Sequence, residues 1–165
     1  LGLWASDAIA AVSPTYGSEI LTEEYGCGLD GFLQMRRETV SGVLNGIDTD
    51  SFNPADDSAL NTNFDIDSLE NRAANKGFLQ DRLGLARDPE IPLLAVISRM
   101  DVQKGVDLAF TALKSMKSVK FQAVILGTGD PKLEDAAREL HELFPDKIKI
   151  ELAKGGGWAA ICKKL

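Results

Sequence analysis

The chain has 165 residues, 44% of them hydrophobic, with 18 Lys and Arg against 25 Asp and Glu and a net charge of −7. That length suits one domain or parts of two, and the apolar content excludes a disordered chain. No apolar stretch approaches the roughly 18 residues of a membrane span, and the acidic balance argues against non-specific nucleic-acid binding.

Ala8-Ile9-Ala10-Ala11-Val12 runs into Ser13-Pro14 and reads as a short buried strand ending in a turn. Ser13 suits an N-cap and Pro14 the first helical turn, and Tyr16, Ile20, Leu21 and Tyr25 continue at helical spacing until Gly26-Cys27-Gly28. Residues 30–36 fit one or two further turns. Ser41-Gly42-Val43-Leu44 is a second strand candidate, closed by Asn45-Gly46. Residues 48–67 are dominated by Asp, Asn and Pro and read as a connection between domains. A helix follows over 68–83, with Leu69, Ala73, Lys76, Leu79 and Leu83 on one face, Asp67 to cap it and Gly84 as its C′ residue.

The second half is more regular. Leu93–Ile97 is a continuous apolar run, as in a strand buried on both faces. A helix over 102–116, a strand over 121–126, a helix over 131–143 opened by Pro131 and a strand over 148–152 complete a β-α-β-α-β order. That order predicts an α/β fold with a parallel sheet.

Charge and cysteine add little by themselves. Residues 1–90 hold 16 acidic and 6 basic residues, whereas 91–165 hold 9 and 12. The basic second half is where an anionic ligand is expected, although two differently charged solvated faces would give the same split. Cys27 and Cys162 are too far apart in sequence to suggest a disulfide framework, and they fit a reducing compartment. The opening Leu1-Gly2-Leu3-Trp4 carries no Met and no targeting segment, as expected of a piece of something longer.

In parallel sheets, ligands bind where strand ends pass into helix N-termini. One such junction is Ser98–Gly105, whose Arg99 and Lys104 are the only basic residues between positions 88 and 113. Two cations beside a helix start suit a diphosphate and can neutralise a leaving phosphate without a metal ion; the other reading is a surface Arg and Lys solvating that start. The second junction, Gly127-Thr128-Gly129-Asp130-Pro131, places glycines where backbone can approach a ligand, or merely turn. Asn45 offers a donor and an acceptor near the polar connection, or forms a plain Asn-Gly turn with Gly46. His141 is expected to be exposed, and one His with two distant Cys makes no metal site.

The order of these segments resembles bacterial glycogen synthases and plant starch synthases. The likeness rests on Val12-Ser13-Pro14-Thr15-Tyr16 with Glu19-Ile20, on Tyr25–Gly31, and on Ser41–Asp48 with Asn53-Pro54. It continues through Ala73-Ala74-Asn75-Lys76 with Leu79-Gln80, Ser98-Arg99 with Gln103–Leu108, and Leu126–Pro131. It covers about residues 5–150, and the first and fifth segments are the most specific.

The resemblance implies part of a GT-B arrangement, in which two Rossmann-like domains face each other. Residues 1–48 would end the acceptor-side domain, 49–67 would cross between domains, 68–152 would begin the nucleotide-sugar domain, and 153–165 form a divergent tail. The implied activity is retaining transfer of glucose from ADP-glucose to an α-1,4-glucan acceptor, with no metal or other cofactor. Arg99 and Lys104 match the basic pair that holds the donor diphosphate and stabilises departing ADP. Asn45 matches a cleft asparagine near the transferred sugar, and Gly127 and Gly129 match a loop on the nucleotide side. The compartment would be bacterial cytoplasm or an algal or plant plastid. The family's glycine-rich Lys loop and its acidic E-x₇-E segment are not seen, so 165 residues alone are expected to give no transfer. The rival readings are a related transferase with another nucleotide-sugar donor and a non-catalytic nucleotide- or glucan-binding remnant.

Overall fold

The computed structural model describes residues 2–152, so the tail at 153–165, with Cys162, lies outside the described residues. The chain forms two compact units that divide between Phe52 and Asn53.

The first unit comprises α1 (Gly2–Ala5), β1 (Ile9–Ala11), α2 (Pro14–Glu19), α3 (Asp30–Met35) and β2 (Val40–Gly42). β1 and β2 pair in parallel, Ile9 opposite Val40. Ser13 caps α2 as expected, its hydroxyl accepting from the Tyr16 N–H at 2.9 Å. Gly42 is required by packing: a Cβ there would lie 2.3 Å from the backbone N and Cα of Pro14. The absence of a side chain lets the start of α2 rest on β2.

The helix expected to run on to Tyr25 stops at Glu19. Thr22 turns its hydroxyl onto the Glu19 carbonyl at 2.7 Å, and Gln34 Nε2 donates to the Leu21 carbonyl at 2.8 Å. Both bonds satisfy carbonyls that a continued helix would need for its own ladder.

The second unit contains α4 (Arg72–Arg82), β3 (Leu93–Ile97), α5 (Val106–Ser115), β4 (Gln122–Leu126), α6 (Pro131–Leu143) and β5 (Ile148–Glu151). The sheet order is β3-β4-β5, all parallel. The expected β-α-β-α-β rhythm is therefore present. β4 is central and buried at all five positions. Val106, Phe110 and Leu113 from α5 and Leu133, Ala137 and Leu140 from α6 pack with Ala123, Ile125 and Ile148 into one apolar core. Each such large side chain contributes about 1.5–3 kcal/mol by leaving water.

β3 departs from the expectation of a strand buried on both faces. Leu94 and Ile97 remain 38% and 39% exposed, because among the described residues β3 pairs only with β4 and forms the sheet's edge. His141 also departs: it is half-buried, with Nδ1 2.6 Å from the Ile148 carbonyl. A carbonyl only accepts, so Nδ1 carries the proton and ties α6 to β5.

α4 is shorter than the expected 68–83, and a 3₁₀ turn at Leu69–Asn71 precedes it. Asp67 does not cap it; the Asp67 N–H instead donates to Asp65 Oδ1. Gly84 does follow the helix in the left-handed conformation, φ 63°. The inward face of α4 is Gly77, Leu79 and Gln80, whereas Leu69 is 47% exposed. Gln80 is 1% exposed and donates to Gln122 Oε1 at 2.7 Å and to the Asp88 carbonyl at 3.0 Å. Gln122 in turn donates to the Ala86 carbonyl at 2.7 Å. A helical period built on apolar residues misses a buried amide pair of this kind.

The polar segment before α4 is held rather than loose. Asn75 accepts from the Thr62 N–H at 3.0 Å and donates to the Thr62 carbonyl at 2.7 Å. Arg72 stacks over Phe64, and Lys76 Nζ donates to the Pro89 carbonyl at 2.6 Å. Asn75, Lys76 and Gln80, a run quoted for the family likeness, thus fasten the chain around α4.

Candidate functional site

Beyond the carboxyl ends of β3 and β4, the two strands continue to pair as loops. Ser98 N donates to the Leu126 carbonyl at 3.1 Å, Met100 N to the Thr128 carbonyl at 3.0 Å, and Asp130 N to the Met100 carbonyl at 2.8 Å. Side chains alternate along this extension. Met100 points into the core at 2% exposure, and Arg99 on the other side is exposed.

The closeness of the loops explains both glycines. A Cβ at Gly127 would lie 2.3 Å from the Ser98 carbonyl oxygen, and one at Gly129 would lie 2.4 Å from that of Met100. Gly127 is buried and Gly129 is exposed. Backbone packing against the neighbouring loop therefore demands glycine at both positions, whatever the loops bind.

Asp101 organises the basic junction. Its Oδ1 accepts from the Gln103 N–H at 2.9 Å and caps a 3₁₀ turn at Val102–Lys104, and its Oδ2 lies 3.9 Å from Arg99 Nη1. Gly105 then adopts φ 65° and leads into α5. The expected continuous helix over 102–116 is thus a turn, a left-handed glycine and a helix. Lys104 sits exposed on the turn, and among the described residues its ammonium makes no ion pair. A pocket of about 360 Å³ opens here, lined by Arg99, Met100, Asp101, Val102, Thr128, Gly129 and Asp130.

The second loop is fixed from α6. Asp130 Oδ1 caps the helix by accepting from the Lys132 N–H at 2.8 Å. Glu134 reaches back, its Oε1 accepting from the Thr128 hydroxyl at 2.5 Å and from the Gly129 N–H at 2.9 Å, and Arg138 lies 3.4 Å from its Oε2. The Thr128 hydroxyl, then the Gly129 N–H and the Arg138 charge, hold the Glu134 carboxyl below its ordinary pKa. The glycine spacing drew attention to this loop, but only the carboxylate one turn into the following helix could have signalled its clamp.

The structure therefore brings Arg99 and Gly129 to one pocket, with Lys104 one short turn away, whereas Gly127 is buried and does not line it. Asn45 belongs to the first unit, exposed and just past β2, whose pairing extends through the Val43 N–H to the Ala11 carbonyl at 2.9 Å. Two exposed cations, with the Asp101 and Asp130 carboxylates engaged by the Gln103 and Lys132 N–H groups, suit a phosphorylated ligand.

Comparison with known proteins bears on the sequence and the fold. A family model described as "Starch synthase catalytic domain" matches residues 1–35. A glycogen synthase of Aromatoleum aromaticum is 46% identical over 147 residues, 89% of this chain and 30% of its own length. That of Thermotoga maritima is 44% identical over 151 residues, 92% of this chain and 31% of its own length. The catalytic domain of starch synthase IV from Arabidopsis thaliana, solved with ADP and acarbose, superposes with a TM-score of 0.86 at 33% identity, over 96% of this chain and 32% of its own. The resemblance to glycogen and starch synthases holds. A glycosyltransferase of Rickettsia africae shares the fold alone, with a TM-score of 0.54 at 19% identity over 92% of this chain. The α/β elements are thus part of the GT-B fold of the synthases. The chain spans about a third of the length of the relatives it matches.

Proposed function

We propose that this chain supplies the donor-diphosphate loop of a retaining glucosyltransferase that extends α-1,4-glucan from ADP-glucose. The observation that carries the reading is the pair of exposed cations, Arg99 and Lys104, on a loop that begins hydrogen-bonded to its neighbour at the carboxyl ends of parallel strands. In the reaction the bond between glucose C1 and the β-phosphate oxygen breaks, and negative charge grows on ADP. Arg99 and Lys104 stabilise that charge, and the proposed step uses no metal or other cofactor. The 4-hydroxyl oxygen at the glucan's non-reducing end bonds to C1 with the anomeric configuration kept, and its proton passes to the departing β-phosphate oxygen. A sugar-contacting role for Asn45 is proposed on the resemblance alone. Gly127 and Gly129 shape the nucleotide side as backbone surface, since the Gly129 N–H is already given to Glu134. The compartment is the bacterial cytoplasm or an algal or plant plastid. Among the described residues, no helix is long and apolar enough to cross a membrane.

The test is a graft. Residues 2–152 replace the matching third of the Thermotoga maritima glycogen synthase, and glucosyl transfer to glycogen is measured. The graft should turn over ADP-glucose, and Lys104→Ala should lower its kcat by about 10²–10³-fold, the effect of one well-placed charge-stabilising donor. Unchanged kcat and KM in that variant would overturn the assigned role.

A further inference from the structure

The two loops around the pocket differ in what holds them, and one carboxylate outside the proposed donor contacts controls the second loop. Glu134 is only 15% exposed by its side chain, although it lies on a helix flank rich in charge. Its Oε1 accepts the Thr128 hydroxyl and the Gly129 N–H together, and both of those residues line the pocket. Arg138, four residues on, neutralises the other oxygen. The Gly129 backbone is in turn pressed against Met100, directly beside Arg99. A shift at Thr128–Gly129 must therefore move the backbone that presents Arg99, because packed loops of this kind transmit displacement instead of absorbing it.

We propose that Glu134 is a positioning residue for the donor site, acting through Thr128 and Gly129 to fix the backbone that carries Arg99. The inference rests on the donor-diphosphate reading of that pocket. Glu134 touches no ligand in this role. Its negative charge would by itself disfavour a diphosphate, so it acts by geometry, and a neutral acceptor of the same shape should replace it.

The test is calorimetric titration of the 165-residue chain with ADP, with thermal unfolding and Gly129 amide exchange measured on the same variants. Glu134→Ala should weaken ADP binding about tenfold, the effect of losing one charge-assisted hydrogen bond, and should speed Gly129 exchange. Glu134→Gln should restore most of the affinity, because its amide oxygen can accept both bonds. Thr128→Val, which keeps the shape and removes the hydroxyl, should weaken ADP binding in the same direction and covers the case in which Glu134→Ala fails to fold. Binding by Glu134→Gln as weak as that of Glu134→Ala would show that the shape of the acceptor does not position the loop and would overturn the proposal. Equal affinity in Glu134→Ala, in a chain whose binding Arg99→Ala abolishes, would overturn the clamp and leave the donor site standing. No ADP binding by the unsubstituted chain would overturn the donor-site reading, and this inference with it.

Discussion

The loops that follow β3 and β4 occupy equivalent places in the sheet, yet they dispose of their polar groups in opposite ways. After β4, Thr128, Gly129, Asp130 and Glu134 spend their hydrogen bonds on one another and on the start of α6. After β3, Asp101 organises the turn and lies 3.9 Å from Arg99, and both Arg99 and Lys104 stay exposed. Groups satisfied internally build a site; charged groups left over are what a ligand can use. The difference separates scaffold from contact in a way that residue type alone does not, since both loops carry glycine and charge.

Overfilling the scaffold side should disturb the packing of the two loops. Gly129→Ala would drive a Cβ to 2.4 Å from the Met100 carbonyl oxygen. It should destabilise the chain by about 1–3 kcal/mol in urea unfolding, the usual effect of overpacking. Unaltered stability would mean the loops are not packed as described. A second scaffold test lies behind the sheet. Gln122→Leu leaves the Gln80 amide at 1% exposure without its side-chain acceptor, and should lower stability by about 1–3 kcal/mol. If the variant unfolds at the same urea concentration, the buried amide pair is not holding α4 to β4.

The contact side should respond in the opposite sense. Arg99→Ala and Lys104→Ala remove exposed side chains and should change stability by no more than about 0.5 kcal/mol. A large loss in either would make that residue scaffold. The smallest effect is electrostatic. The Glu134 carboxyl sits below its ordinary pKa, so its bonds favour the folded chain above the unfolded-state value, and that contribution is lost as pH falls through the lowered folded value. A carboxyl NMR titration should place the Glu134 midpoint below that of an exposed glutamate, and Thr128→Val should move it back upward. A midpoint at the ordinary value would contradict the clamp.

Much of this was readable in the sequence, for identifiable reasons. The β-α-β-α-β rhythm, Ser13 as a cap and Pro131 as a helix start are set by neighbours within a few residues, which a linear pattern records. Arg99 and Lys104 stood out because that stretch holds no other cation. What escaped depends on partners distant in sequence. The helix after Ser13 ends early through Gln34, His141 is engaged by Ile148, and Gln80 is buried because Gln122 meets it. Gly127 and Gly129 also have a packing reason that their spacing does not show, since their backbone lies against Ser98 and Met100. Exposure of β3 reflects which strands flank it, which its own apolar run cannot reveal.

The most direct test of the division between the loops is an ADP titration followed by amide NMR. Concentration-dependent shifts should be confined to residues 98–105 and 127–130 and be abolished in the Arg99→Ala, Lys104→Ala double variant while its fold is retained. Shifts centred elsewhere in the chain, or equal shifts in the double variant, would contradict that division.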